Sequence, residues 1–215
     1  MKLRPTLLLT RHIDRVLVVG TAVCLAAIFL ASCGGGGGPF GNPSSVSNDP
    51  ASVQGQKLSF IYFQKCINPI FDAKLEINQN GVISTNSCAG SGCHDTVNGT
   101  GGALRVVPNA TAVDLSDPAN TPDVVRTADM FKNYYSAQGM TIVGSPSQSR
   151  LLNKPQVLGT LHGGGLIFES ASDPNLKLMS YWISRPMPQG QDEFSTAANN
   201  MFTPADPATG TCNTE

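Results

Sequence analysis

Hydrophobic and polar positions fall into blocks of different period along the chain. Val16–Leu30 is an apolar run of 15 residues that follows Lys2, Arg4, Arg11 and Arg15. Residues 56–74 place Leu58, Ile61, Tyr62, Cys66 and Ile70 at helical spacing. Pro69 is expected to end or kink that helix. Residues 77–103 are rich in Asn, Gly, Ser and Thr and read as loop. Leu104, Val106 and Val107 suggest a short strand. Residues 121–135 read as a helix, with Thr121 as cap and Pro122 at the first helical position. Residues 145–152 read as a short helix entered through a serine cap. His162–Gly165 is a loop whose glycines leave the backbone free. Residues 173–184 read as a helix capped by Asp173, with Leu176, Met179 and Ile183 on one face. Beyond Arg185 the Pro-, Asn- and Thr-rich chain reads as extended. The expectation is short helices joined by long loops, with aromatic residues at only 7%. Loops of this length are uncommon in a domain that must bury its own core. A large apolar cofactor would supply the missing surface.

The N-terminal block changes the picture. Basic residues, a short apolar run and small residues at its end are the marks of a secretory signal. The run is shorter than the ~20 residues a spanning helix needs. Leu30-Ala31-Ser32-Cys33 resembles a bacterial lipobox, which implies that Cys33 becomes the first mature residue and carries lipid. No Arg-Arg pair precedes the run, so the resemblance is to general secretion. Gly34–Gly38 and the Pro-, Gly-, Ser- and Asn-rich stretch to Pro50 read as a flexible tether. The organisation expected is a signal peptide over 1–32, a lipidated tether over 33–55 and one folded domain over 56–215. The location expected is the periplasm or the cell surface, anchored by lipid to a membrane, the outer membrane being favoured. Residues 1–33 hold 4 of the 14 basic and 1 of the 15 acidic residues. The mature domain therefore has 10 basic and 14 acidic residues, a net charge of −4. With no basic run, nucleic acid is excluded as an expected partner.

Of 6 cysteines, Cys24 leaves with the signal and Cys33 is the lipid site. Cys66, Cys88, Cys93 and Cys212 remain, in a compartment where an even number normally pairs. The informative stretch is Cys88-Ala-Gly-Ser-Gly-Cys93-His94. Two thiols close in sequence can reach the two vinyl carbons on one porphyrin edge, and an adjacent histidine can present its imidazole to the iron. The usual spacing has two residues between the cysteines. Here there are four, with Gly90 and Gly92 easing the wider loop. Two other readings stay open: a disulfide between Cys88 and Cys93 with His94 as bystander, and a zinc site of Cys88, Cys93, His94 and His162.

The order of helix, C-x4-C-H, loops and Trp-bearing last helix resembles the class I cytochrome c fold. More closely it resembles cytochrome-c-like domains of exported bacterial proteins. The blocks that carry the resemblance are Ile67–Phe71, Gly92-Cys93-His94, Ser149–Pro155, His162–Gly165 and Tyr181-Trp182-Ile183. The resemblance implies a mainly α, class I-type domain with long loops around one haem c. It implies that Cys88 and Cys93 hold the haem and that His94 is the proximal ligand. It also implies electron transfer; with both iron ligand sites filled, the expectation is a one-electron carrier that meets redox partner proteins, and not an enzyme. The distal ligand is His162, the only other histidine of the mature chain, or Met187 between its two prolines. Met140 has a suitable place in the chain, and Met179 fits a core face. Cys66 and Cys212 are left to form a disulfide across a very long loop. A haem enzyme or gas sensor with an open iron site, and a haem-free, disulfide-stapled lipoprotein, are the competing classes.

Overall fold

Ser59 opens the first helical run: its backbone is extended and its hydroxyl accepts from the Tyr62 amide at 3.1 Å. The run consists of α1 (Phe60–Tyr62), a π-helical turn (Phe63–Ile67) and α2 (Asn68–Asp72). Pro69 explains the π turn. It has no amide hydrogen, and its ring crowds the carbonyl four residues earlier. Widening the helix just ahead of it relieves both conflicts. The helix therefore continues through Pro69 to Asp72. The computed structural model describes residues 51–215. The expected signal peptide, the lipidation site Cys33 and the tether up to residue 50 lie outside the described residues. No helix among the described residues is long and apolar enough to cross a membrane.

Where loop was expected after residue 77, the chain forms a hairpin of β1 (Leu75–Gln79) and β2 (Val82–Asn86). The register runs from Leu75 opposite Asn86 to Gln79 opposite Val82. Asn80 and Gly81 form the turn, both at positive φ, 55° and 87°. An Asn-Gly pair is suited to such a two-residue turn, whose twist matches that of the strands. Asn78 also exchanges two backbone hydrogen bonds with Leu166, at 2.8 and 2.9 Å. The hairpin is thereby tied to the segment that follows His162.

The remaining helices are α3 (Pro122–Val125), α4 (Asp129–Gln138), α5 (Arg150–Asn153) and α6 (Pro174–Ser184). The single helix expected over 121–135 breaks between α3 and α4, and Thr121 makes no side-chain cap bond. The helix expected over 145–152 divides at Ser149 into a 3-10 turn (Pro146–Gln148) and α5. The Ser149 hydroxyl bonds the Ile142 amide and the Ser145 carbonyl, so it fastens a loop instead of capping a helix. Only α6 matches its expected bounds, and Asp173 caps it by accepting from the Asn175 amide at 2.8 Å.

The core lies where the first helical run meets α4 and α6. The fully buried rings of Phe63 and Trp182 are 5.4 Å apart, and Phe63 and Tyr134 are 5.6 Å apart. The buried polar ends of these rings have partners, as burial demands. The Trp182 indole donates to the Ser59 carbonyl at 2.9 Å, and the Tyr134 hydroxyl to the Leu58 carbonyl at 2.8 Å.

The C-terminal stretch is not simply extended. A 3-10 turn (Thr196–Met201) leads into β3 (Phe202–Thr203), which pairs antiparallel with β4 (Thr211–Cys212). Cys212 is disulfide-bonded to Cys66 in the π turn. Next to it the Lys65 ammonium donates to the carbonyls of Pro207 and Gly210, at 2.6 and 2.8 Å.

This architecture corrects the expected fold class. The described residues are only 32% helical and carry two small antiparallel sheets, so they do not form the mainly α, class I cytochrome c-type domain that the order of motifs implied. The physical reason is local. Asn-Gly, Gly-Gly and Pro-bearing stretches between the helices satisfy their backbone groups in turns, bridges and short strand pairs.

Candidate functional site

The loop that carries Cys88, Cys93 and His94 starts at the end of β2 and is knitted by its own backbone. The Ala89 amide donates to Phe71 in α2 at 2.8 Å, the Cys93 amide to Gly90 at 3.0 Å, and the His94 amide to the Cys88 carbonyl at 2.9 Å. Gly92 sits at φ +82°, a region that glycine enters without a Cβ penalty. The returning chain lies beside it. Val106 donates to the His94 carbonyl at 2.8 Å, and Asp95 and Val106 form a parallel bridge. Gly101 closes over the imidazole: a Cβ there would lie 2.5 Å from Nδ1 of His94.

His94 and His162 come together although 68 positions separate them in the chain. Their ring centroids are 6.2 Å apart and their planes differ by 10°. Each ring uses Nδ1 on a backbone carbonyl. His94 reaches Leu104 at 3.1 Å, and His162 reaches Gly165 at 2.7 Å. A carbonyl only accepts, so in both rings Nδ1 carries the hydrogen and Nε2 is the nitrogen left for another partner. Burial pushes the His94 pKa down, and the nearby His162, Arg105 and Lys154 push the same way against the Leu104 carbonyl. The neutral, ligating form of His94 is therefore favoured.

Cys88 and Cys93 are free thiols, both half-buried. Burial, with Cys93 close by, pushes the Cys88 thiol up to about 12. Asn86 donates from Nδ2 to Cys93 Sγ at 3.4 Å. The disulfide considered between these two cysteines is not formed, and the disulfide among the described residues joins Cys66 to Cys212. Among the described residues no group of three or more His, Cys, Asp or Glu side chains is placed to hold a metal ion. The structure thus does not assemble the four-residue zinc set.

Met187 is placed elsewhere. It is buried beside a cleft lined by Tyr181, Arg185, Ala197, Asn200 and Met201, and its amide donates to the Lys57 carbonyl at 2.7 Å. Met179 is buried on α6. Met140 is buried, and its carbonyl accepts from Leu151.

Comparison of the chain with known protein families, with curated proteins and with solved structures finds no match.

The residues that would hold a haem are Cys88 and Cys93 for the macrocycle and His94 and His162 for the iron. Ligating histidines characteristically donate their other ring N–H to a carbonyl or carboxylate, and both rings here do so. A pair of imidazoles suits an ion whose remaining ligands come from a macrocycle. Apolar side chains also stand exposed near both rings in the chain: Val97 at 82%, and Leu158 and Leu161 at 57% and 88%. The two carbonyls and Gly101 escaped sequence reasoning. No residue type marks a backbone acceptor, and glycines are common throughout this loop.

Proposed function

We propose that the chain is an exported bacterial lipoprotein that carries one covalently attached haem c and moves single electrons between redox partner proteins. Cys88 and Cys93 would hold the macrocycle as thioethers, and His94 and His162 would ligate its iron. A haem held in this way supplies an iron that accepts and releases one electron. The residues around it do the rest. The Leu104 and Gly165 carbonyls fix both imidazoles with Nε2 free, and Gly101 admits the His94 ring without a clash. Burial keeps His94 neutral. With both imidazoles bound to it, the iron would have no open site for a substrate, and the reading is of a carrier and not an enzyme. Lipid on Cys33 anchors it to a membrane at the periplasmic or cell-surface side, the outer membrane being favoured.

The observation that carries this reading is the pair of near-parallel imidazoles 6.2 Å apart, each bonded through Nδ1 to a backbone carbonyl, with one of them following Cys93 directly. The test is the absorption and mass spectrum of protein made with a c-type maturation system. A gain of one haem mass is expected, with a Soret band that survives acid acetone and is lost in Cys88→Ala/Cys93→Ala. Reduced protein should not bind carbon monoxide at neutral pH. Colourless protein in which Cys88 and Cys93 are bonded to each other would overturn the proposal and favour a haem-free lipoprotein.

A further inference from the structure

The segment after Leu104 is held from two sides with a period of two. Toward α4, the Arg105 amide donates to the Ser136 hydroxyl at 2.7 Å. Val107 donates to the Asn133 side-chain oxygen at 2.6 Å and accepts from its Nδ2 at 2.9 Å. Asn109 donates to Asp72 at 3.0 Å. Toward the haem-attachment loop, the Leu104 carbonyl accepts from His94 Nδ1 at 3.1 Å, and Val106 bonds the His94 carbonyl and the Thr96 amide at 2.8 and 3.2 Å. Odd-numbered residues thus face α2 and α4, and even-numbered ones face His94. An extended chain presents successive groups to opposite sides in this way.

Asn133 and Ser136 are three residues apart on α4, and so lie on one helix face. Asn133 is fully buried and uses its amide as a strand edge would, taking both backbone groups of Val107. Its Nδ2 also bonds Asn68 Oδ1 at 2.9 Å, which locks α4 to α2. Neither residue is near enough in sequence to His94 to touch it by local geometry. Their grip on residues 105 and 107 instead decides where the Leu104 carbonyl stands.

We infer that Ser136 and Asn133 are positioning residues for the His94 imidazole, acting through the backbone of residues 104–107. By holding the Leu104 carbonyl against Nδ1, they maintain the Nδ1–H tautomer and make Nε2 a stronger electron donor. Outer hydrogen bonds of this type raise ligand basicity, and a more basic ligand favours the oxidised metal. The inference rests on the haem reading for its effect on potential. Its effect on the imidazole itself needs no haem.

The test uses Ser136→Ala, Ser136→Thr and Tyr134→Phe. Tyr134 lies on the same helix but bonds Leu58, so Tyr134→Phe is the control for destabilisation alone. In haem-loaded protein, Ser136→Ala should raise the midpoint potential. The expected size is about a tenfold change in the reduced-to-oxidised ratio, or about 59 mV for one electron. Ser136→Thr, which keeps an acceptor oxygen, should restore the wild-type value, and Tyr134→Phe should leave it unchanged. An unchanged potential in haem-loaded Ser136→Ala, or an equal shift in Tyr134→Phe, overturns the inference. If no haem is incorporated, the functional reading fails first. Nitrogen-15 NMR of the His94 ring then decides: the inference requires an Nδ1–H tautomer in the wild type that loses population in Ser136→Ala. An unchanged tautomer ratio overturns it.

Discussion

Replacing Gly101 by alanine tests the imidazole cradle directly. The added Cβ would lie 2.5 Å from His94 Nδ1, 2.6 Å from its Cε1 and 2.6 Å from the Cys93 carbonyl oxygen. Unstrained non-bonded contacts of carbon are near 3.5–4.0 Å, so the overlap is about 1 Å against a ring and against backbone. The backbone cannot yield, because the Cys93 carbonyl already accepts from the Gly101 amide at 2.7 Å. The ring must swing, and its bond to Leu104 lengthens or breaks. Overpacking costs about 1–3 kcal/mol, and a lost hydrogen bond about 1 kcal/mol more. The expected destabilisation is about 2–4 kcal/mol. At about 2–4 °C per kcal/mol for a domain of this size, Tm falls by roughly 5–15 °C. Gly163→Ala is the control, since nothing lies within 4 Å of a Cβ there. Urea unfolding gives the free energies, and the His94 Nδ1–H resonance reports the bond. A Gly101→Ala protein within about 0.5 kcal/mol of wild type, with that resonance unmoved, would refute the reasoning.

Three further outcomes are expected. Cys66→Ser/Cys212→Ser opens a loop of 146 residues, nominally worth about 5 kcal/mol in the chain-entropy model and often less in practice. Urea midpoints should drop accordingly, and a loss under 1 kcal/mol would show that the tail contributes little. In haem-free Cys88→Ala/Cys93→Ala protein, the lowered His94 pKa means that the folded chain binds its proton less readily than the unfolded chain. That contribution to stability is present above the unfolded pKa of about 6.5 and is lost as pH falls below it. Adding His94→Gln should flatten the slope of unfolding free energy in that window, and an identical slope would count against it. In haem-loaded protein, His162→Ala should open the iron to carbon monoxide, read as a shifted Soret band. Met187→Ala should keep the wild-type spectrum while losing about 2–5 kcal/mol of stability, as for a buried methionine. The reverse pattern would make Met187 the ligand.

Local rules already determine part of this molecule. Asp173 and Pro174 start α6 at its expected place, because a cap and an N-terminal proline act within one turn. The π turn and the hairpin were equally local: Pro69 misfits a regular helix, and Asn80-Gly81 favours positive φ, although the second signal lay inside a stretch read as loop. That Cys88, Cys93 and His94 lie close together was legible because covalent spacing survives any fold. Tertiary structure decided the rest. Helix content fell below expectation where turns and short strand pairs satisfied the backbone. His162 became the partner of His94 through the Asn78–Leu166 pairing, a contact between distant segments that no periodicity encodes. The tautomer of both imidazoles follows from carbonyls, which every residue has, so only their placement in space distinguishes them.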